Sequence, residues 1–170
     1  PDIFLQTFAY LHTQTPPENI RPRHNVIIRL AVLGYEFIID GKNRDSLREL
    51  QHPNNRDMLS LLQAWSRKTD HLAIWDYWRL YGVHNFNTFA PMLQTNLKTY
   101  RKHGVTNVYV ECQHAAESSF YGLGRYLGMK LLDNPEQDVR KLTNEFMDTM
   151  YGTAAEDMKR FYDFVVESQN

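Results

Sequence analysis

Cysteine is nearly missing from this chain: Cys112 stands alone among 170 residues. A single thiol excludes an internal disulfide and a thiolate-rich metal site, and the best expectation for Cys112 is a small buried side chain. No apolar run approaches the roughly 18 residues of a membrane span. The opening PDIFLQTFAY has neither the basic lead nor the apolar core of a targeting signal. An excess of either charge is missing too. The 19 Lys and Arg against 20 Asp and Glu leave a formal net charge of −1, which argues against nucleic acid or an anionic membrane as partner. The 7 His never fall in the HxxxH spacing, so no metal is expected. GLGRYLG at 122–128 lacks the dinucleotide spacing and does not directly follow a strand, so no cofactor is expected either. The chain has no initiator Met and enters a strand-like run after two residues, as a piece of a longer protein would.

What is present is ordinary globular composition, 42% hydrophobic and 23% charged, with many aromatic residues, among them 10 Tyr and 3 Trp. Short apolar runs at Ile3–Tyr10, Asn25–Leu33, His71–Tyr77 and Asn107–Glu111 read as strands. They are near-continuous rather than alternating, the pattern of parallel strands buried on both faces. Helical periodicity covers 55–68 and 88–103, the second stopped by Gly104. The Pro-rich LHTQTPPENIRPRH joins the first two strands and is a poor helix. Beyond residue 117 no strand pattern remains. Residues 117–132 read as a helix despite Gly122, Gly124 and Gly128, each costing roughly 1 kcal/mol against Ala, and those glycines suggest close packing against another backbone. Two further helices should form a hairpin, the first with Pro135 in its first turn and Gly152 at its end, the second opened by a Thr153–Glu156 capping box.

Strand-then-helix units of this kind give an α/β architecture. The expected fold is the C-terminal half of a TIM-like (β/α)8 barrel, about four parallel strands, followed by a helical hairpin. A complete barrel needs about 250 residues. Residues 1–116 would hold the half-barrel and 117–170 a helical segment packed on it. An independent four-stranded α/β domain is the competing architecture.

Sites in barrels and open α/β sheets collect at the carboxyl ends of the strands. Those ends carry Tyr10 and His12, then Tyr35 and Glu36 beyond the second strand, which itself contains Arg29. The third ends in Asp76, Tyr77 and Trp78, and the fourth in Glu111, Gln113 and His114. Trp75 completes a set of three large rings around Asp76. Aromatic faces stack on the C–H faces of a pyranose, while carboxylate, Arg and amide groups hold its hydroxyls. Glycoside hydrolysis needs two carboxyl groups, about 5 Å apart for retention or about 6.5–9.5 Å for inversion. Asp76 and Glu111 end consecutive predicted strands, and neighbouring strands lie about 4.8 Å apart. Plainer roles compete. Asp76 can cap a turn or pair with Arg79, Glu111 can pair with Arg29, and at least one ring of the Trp75–Trp78 cluster should belong to the core.

IFLQTFAYLHTQTPPENIRPRHNVIIRL, WSRKTDHLAIWDYW and NLKTYRKHGVTNVYVECQ resemble, in order, the segments of a bacterial glycoside-hydrolase-like family known as domain of unknown function four-eight-three-eight. The family pattern has an "AY…T…PP" segment, an "NV" strand, a "W…IWDY" strand and a "G…E" strand before a helical tail. FMDTMYGTAAEDMKRFYDFV is similar to its "YYG.AA" ending. The resemblance implies a large secreted protein acting on, or binding, complex glycans through a TIM barrel, of which this chain is the back half. It makes Asp76 and Glu111 site candidates without assigning roles. Where the family often has Gly-rich sequence after that Glu, this chain has CQHAAESS.

The leading expectation is therefore a fragment of a glycoside-hydrolase-like protein. Asp76 and Glu111 would do acid/base or hydroxyl-binding work, Arg29 would orient one of them, and Tyr10, His12, Glu36, Trp75, Tyr77, Trp78 and Gln113 would contact sugar. A non-catalytic glycan-binding module and a structural α/β domain with an interaction role are the alternatives. A half-barrel has two open sheet edges, so self-association or a missing N-terminal half is expected as well.

Overall fold

The computed structural model describes residues 3–33, 48–78, 88–112 and 119–169. Four strands form one sheet: β1 (Leu5–Ala9), β2 (Val26–Val32), β3 (Leu72–Tyr77) and β4 (Val105–Glu111). Every pairing is parallel and the spatial order is β1-β2-β3-β4, as in a consecutive arc of a barrel wall. The helices are α1 (Arg56–Lys68), α2 (Leu93–Lys102), α3 (Tyr121–Asp133), α4 (Val139–Tyr151) and α5 (Ala155–Ser168). The architecture is α/β, consistent with a partial (β/α) barrel carrying a helical hairpin.

Helices cover one face of the sheet. Ile28, Leu30, Val32, Leu72 and Ile74 point into that side and join Met58, Leu61, Leu62 and Trp65 of α1 in a single core. The α1 spacing i, i+3, i+4, i+7 makes that apolar stripe. From α2, Leu93, Leu97 and Tyr100 fill the same layer, and the helix stops where Gly104 takes φ +75°, a conformation without penalty for glycine. The Pro-rich connection after β1 forms only a 3-10 turn, Leu11–Thr13. It is held down by side chains instead: the Gln14 amide donates to the Ala31 carbonyl, and the Trp65 indole donates to the Gln14 carbonyl.

Three local expectations are corrected. The α3 glycines meet rings, not backbone: a Cβ on Gly124 would lie 2.5 Å from Phe89, and one on Gly128 2.0 Å from Trp78. Pro135 precedes α4, which starts at Val139 with the Asp138 carboxylate accepting the Lys141 N–H. No capping box opens α5, because Thr153 lies in a 3-10 turn and the helix is preceded by Ala154 without a side-chain cap. The hairpin itself forms, tied by Arg140–Asp163 at 3.0 Å and Lys159–Asp148 at 2.7 Å.

Candidate functional site

Strand alternation decides which residues meet. In β3, Leu72, Ile74 and Asp76 face the helices, whereas Ala73, Trp75 and Tyr77 face the opposite, inner side. The pairings align Ala31 with Trp75, Trp75 with Tyr109, and Tyr77 with Glu111. The inner face thus gathers aromatic groups from three strands. Trp75 packs on Phe8 at 5.3 Å and on Tyr109 at 4.1 Å between ring centroids.

At the carboxyl ends of the strands, Phe8, Tyr10, Ala31, Trp75, Tyr77 and Glu111 line a hollow of about 350 Å³. That volume lies at the small end of ligand sites. Ala31 supplies the space, since a larger side chain there would fill the gap between Tyr10 and Trp75. The Trp75 indole donates to Glu111 Oε2 at 2.9 Å, which fixes the carboxylate beside the ring. The backbone N–H of Trp78 donates to the Glu111 carbonyl at 3.0 Å, so this position is held on both chain and side chain. On the opposite rim, Leu11 takes φ +49°, unusual for a side chain of its size. The Thr13 hydroxyl accepts the Tyr10 N–H and donates to the Tyr10 carbonyl, bracing the turn that carries Tyr10. Strain of this kind clusters where a side chain must be held in place.

Asp76 is not in this hollow. Its carboxylate is 1% exposed on the helix side, where it accepts from the Tyr77 N–H at 2.9 Å, the Trp78 indole at 3.2 Å and the Tyr100 hydroxyl at 3.0 Å. Asp76 and Glu111 therefore end neighbouring strands but project from opposite faces of the sheet, and the expected carboxylate pair on one face does not form. Trp78, expected to contact sugar, is 3% exposed and lies in the core against Gly128, with its ring stacked near Phe89. Arg29 is on the inner face but orients neither acid: it donates to Asn107 Oδ1 at 3.2 Å and sits over the Tyr109 ring. His12 stands exposed on the turn after Tyr10 and does not line the hollow. Glu36 and Gln113, with Tyr35, Arg79 and His114, lie outside the described residues.

The hollow is thus built by Tyr10, Trp75, Tyr77 and Glu111 from the expected set, together with Phe8 and Ala31, which sequence reasoning passed over. Phe8 lies two residues before Tyr10, which follows β1 with its backbone still extended (φ −146°, ψ 141°), and that spacing puts both on one face. A depression of equal volume lies between α2, α3 and the start of β4, lined by Arg101, Thr106 and Asp133 among others. It sits at the amino ends of the strands, where α/β sheets seldom place ligands. Among the described residues no three His, Cys, Asp or Glu side chains are grouped to hold a metal, and no helix is long and apolar enough to cross a membrane.

The family described as Domain of unknown function (DUF4838) matches residues 1–163. The chain belongs to that family. No curated protein and no solved structure matches it.

Proposed function

We propose that the inner-face hollow binds a sugar ring of a complex carbohydrate, as part of a secreted glycoside-hydrolase-like protein. The observation that carries this reading is Trp75 with Glu111: an aromatic plate whose own N–H holds a carboxylate at its edge. A pyranose laid on Trp75 presents C–H groups to the ring and hydroxyls to the rim, where Glu111 accepts them. Tyr10 and Tyr77 close the sides. The buried, multiply bonded Asp76 shapes this site from behind, by fixing Tyr77 and Trp78, and does not touch sugar.

Glycoside hydrolysis by two carboxyl groups requires both on the sugar's side of the sheet, and the described residues of the hollow offer Glu111 alone. That favours carbohydrate binding as the contribution of this chain, with Glu111 as one of two acids only where another segment supplies the second. Calorimetric titration with a panel of neutral and acidic oligosaccharides tests the proposal. Trp75→Ala and Glu111→Gln should each weaken binding about tenfold or more, equivalent to about 1.4 kcal/mol. Binding that survives both changes, or no binding to any glycan, would overturn it.

A further inference from the structure

Below the hollow, the inner face carries a cation in an unusual setting. Arg29 lies mid-strand in β2, aligned with Phe8 on one side and Ala73 on the other. The small Ala73 lets the guanidinium reach across β3 to β4, where it meets Asn107 and the Tyr109 ring. Its Nε is buried and has no hydrogen-bond partner among the described residues. Neither of its neighbours carries a negative charge.

This stretch of the face is also uncovered. Phe4, Phe8 and Tyr109 are 52%, 44% and 41% exposed, although parallel sheets are found almost only with both faces buried. Among the described residues β1 and β4 each pair on one side only, so both edges of the sheet offer unpaired backbone groups. Closing such a sheet into a barrel buries its inner side chains in layers drawn from alternate strands. Arg29 and its β4 contacts are half of one such layer, and the other half must come from whatever closes the sheet.

We infer that the inner face docks a second, non-identical parallel sheet that presents a carboxylate at the level of Arg29. A desolvated guanidinium is tolerable only when paired. A second copy of this chain does not supply the pair. Closing the barrel about an axis along the strands sets β2 of one copy diametrically opposite β2 of the other. Arg29 then faces Arg29, with Asn107 and Tyr109 repeated beside them, and two like charges share one closed layer. The partner is defined by three features: strand edges that continue β1 and β4, an apolar inner face, and one acid where this chain has its arginine.

The charge requirement is open to test with the chain as its own probe. An Arg29→Glu copy carries a carboxylate at the required height. Mixed one-to-one with the unaltered chain, it should form a heterodimer in sedimentation velocity at least about tenfold tighter than either chain's self-association, weakening as salt is raised. Arg29→Met removes the like charges without adding an acid, so it should self-associate more tightly than the unaltered chain, and it carries the test if Arg29→Glu does not fold by circular dichroism. The inference is overturned if the unaltered chain dimerises as tightly as the mixture. It is equally overturned if neither the mixture nor Arg29→Met associates more than the unaltered chain.

Discussion

Replacing Asp76 should cost folding stability far more than it disturbs the sugar-facing hollow. Asp76→Ala removes the acceptor for the Tyr77 N–H, the Trp78 indole and the Tyr100 hydroxyl, all on the buried helix side. A buried donor left without an acceptor costs about 1–3 kcal/mol. Tyr100 can turn its hydroxyl and the cavity relaxes in part, so the net loss should be about 3–5 kcal/mol, a large share of the 5–15 kcal/mol typical of a domain. At a urea slope of about 2 kcal/mol per molar, that moves the unfolding midpoint down by about 2 M. Asp76→Asn should be milder, about 1–3 kcal/mol. Its amide oxygen can still accept the Tyr77 N–H, and Tyr100 can reverse to accept from the new amide. Only the Trp78 indole, which cannot accept, then faces a donor. Urea melts followed by tryptophan fluorescence would give the order unaltered, Asn, Ala. An Ala variant that unfolds at the unaltered midpoint would refute a structural role for this carboxylate. So would equal losses for Asn and Ala, because the ranking rests on the particular donors.

Three further outcomes follow from the same packing. Gly128→Ala should destabilise by about 1–3 kcal/mol or more, because its Cβ would stand 2.0 Å from Trp78, a ring also tethered to Asp76. Gly122→Ala, with Phe146 at 3.3 Å, should cost much less in the same melt. His103 binds its proton less readily when folded, through burial and the nearby Lys102 and Arg67 charges. The unfolded chain then takes up more protons near its ordinary value of 6.5, so stability should fall as pH drops through that value and be unaffected above it. His103→Gln should flatten that part of the pH profile in urea melts at about pH 7.5 and about pH 5.5. Burial pushes the Tyr162 hydroxyl up to about 12, so Tyr162→Phe should remove a late-titrating component from the phenolate absorbance, and an ordinary value near 10 for that component would mean the α4–α5 hairpin is open.

Element order was readable from the chain because each parallel strand shows as a dense apolar run. The edges shift by a residue or two: β1 begins at Leu5 rather than Ile3, and β4 begins at Val105, directly after Gly104, rather than at Asn107. Face assignment was harder. In HLAIWDYW both faces of the strand are apolar, so no alternation in hydrophobicity marks the inside, yet the period of two already separates Trp75 and Tyr77 from Asp76 and Trp78. What the chain could not display is the relative register of strands far apart in sequence, and that register sets Glu111 beside Tyr77 and opposite in face to Asp76. The α3 glycines were legible as a close approach, but not that the approaching groups are the Phe89 and Trp78 rings. Arg29 is legible as a strand cation, while its contact with β4 depends on Ala73 being small enough for the guanidinium to reach across.

The most direct test of the sugar-face account uses the tryptophans themselves. Trp65 and Trp78 are buried in the helix-side core, whereas Trp75 lines the hollow. Titrating the chain with the oligosaccharide panel should change tryptophan emission and shield it from acrylamide, and both responses should vanish in Trp75→Phe while persisting in Trp65→Phe. A response that survives the loss of Trp75, or bound sugar that leaves Trp75 as accessible as before, would place the carbohydrate elsewhere and contradict the account.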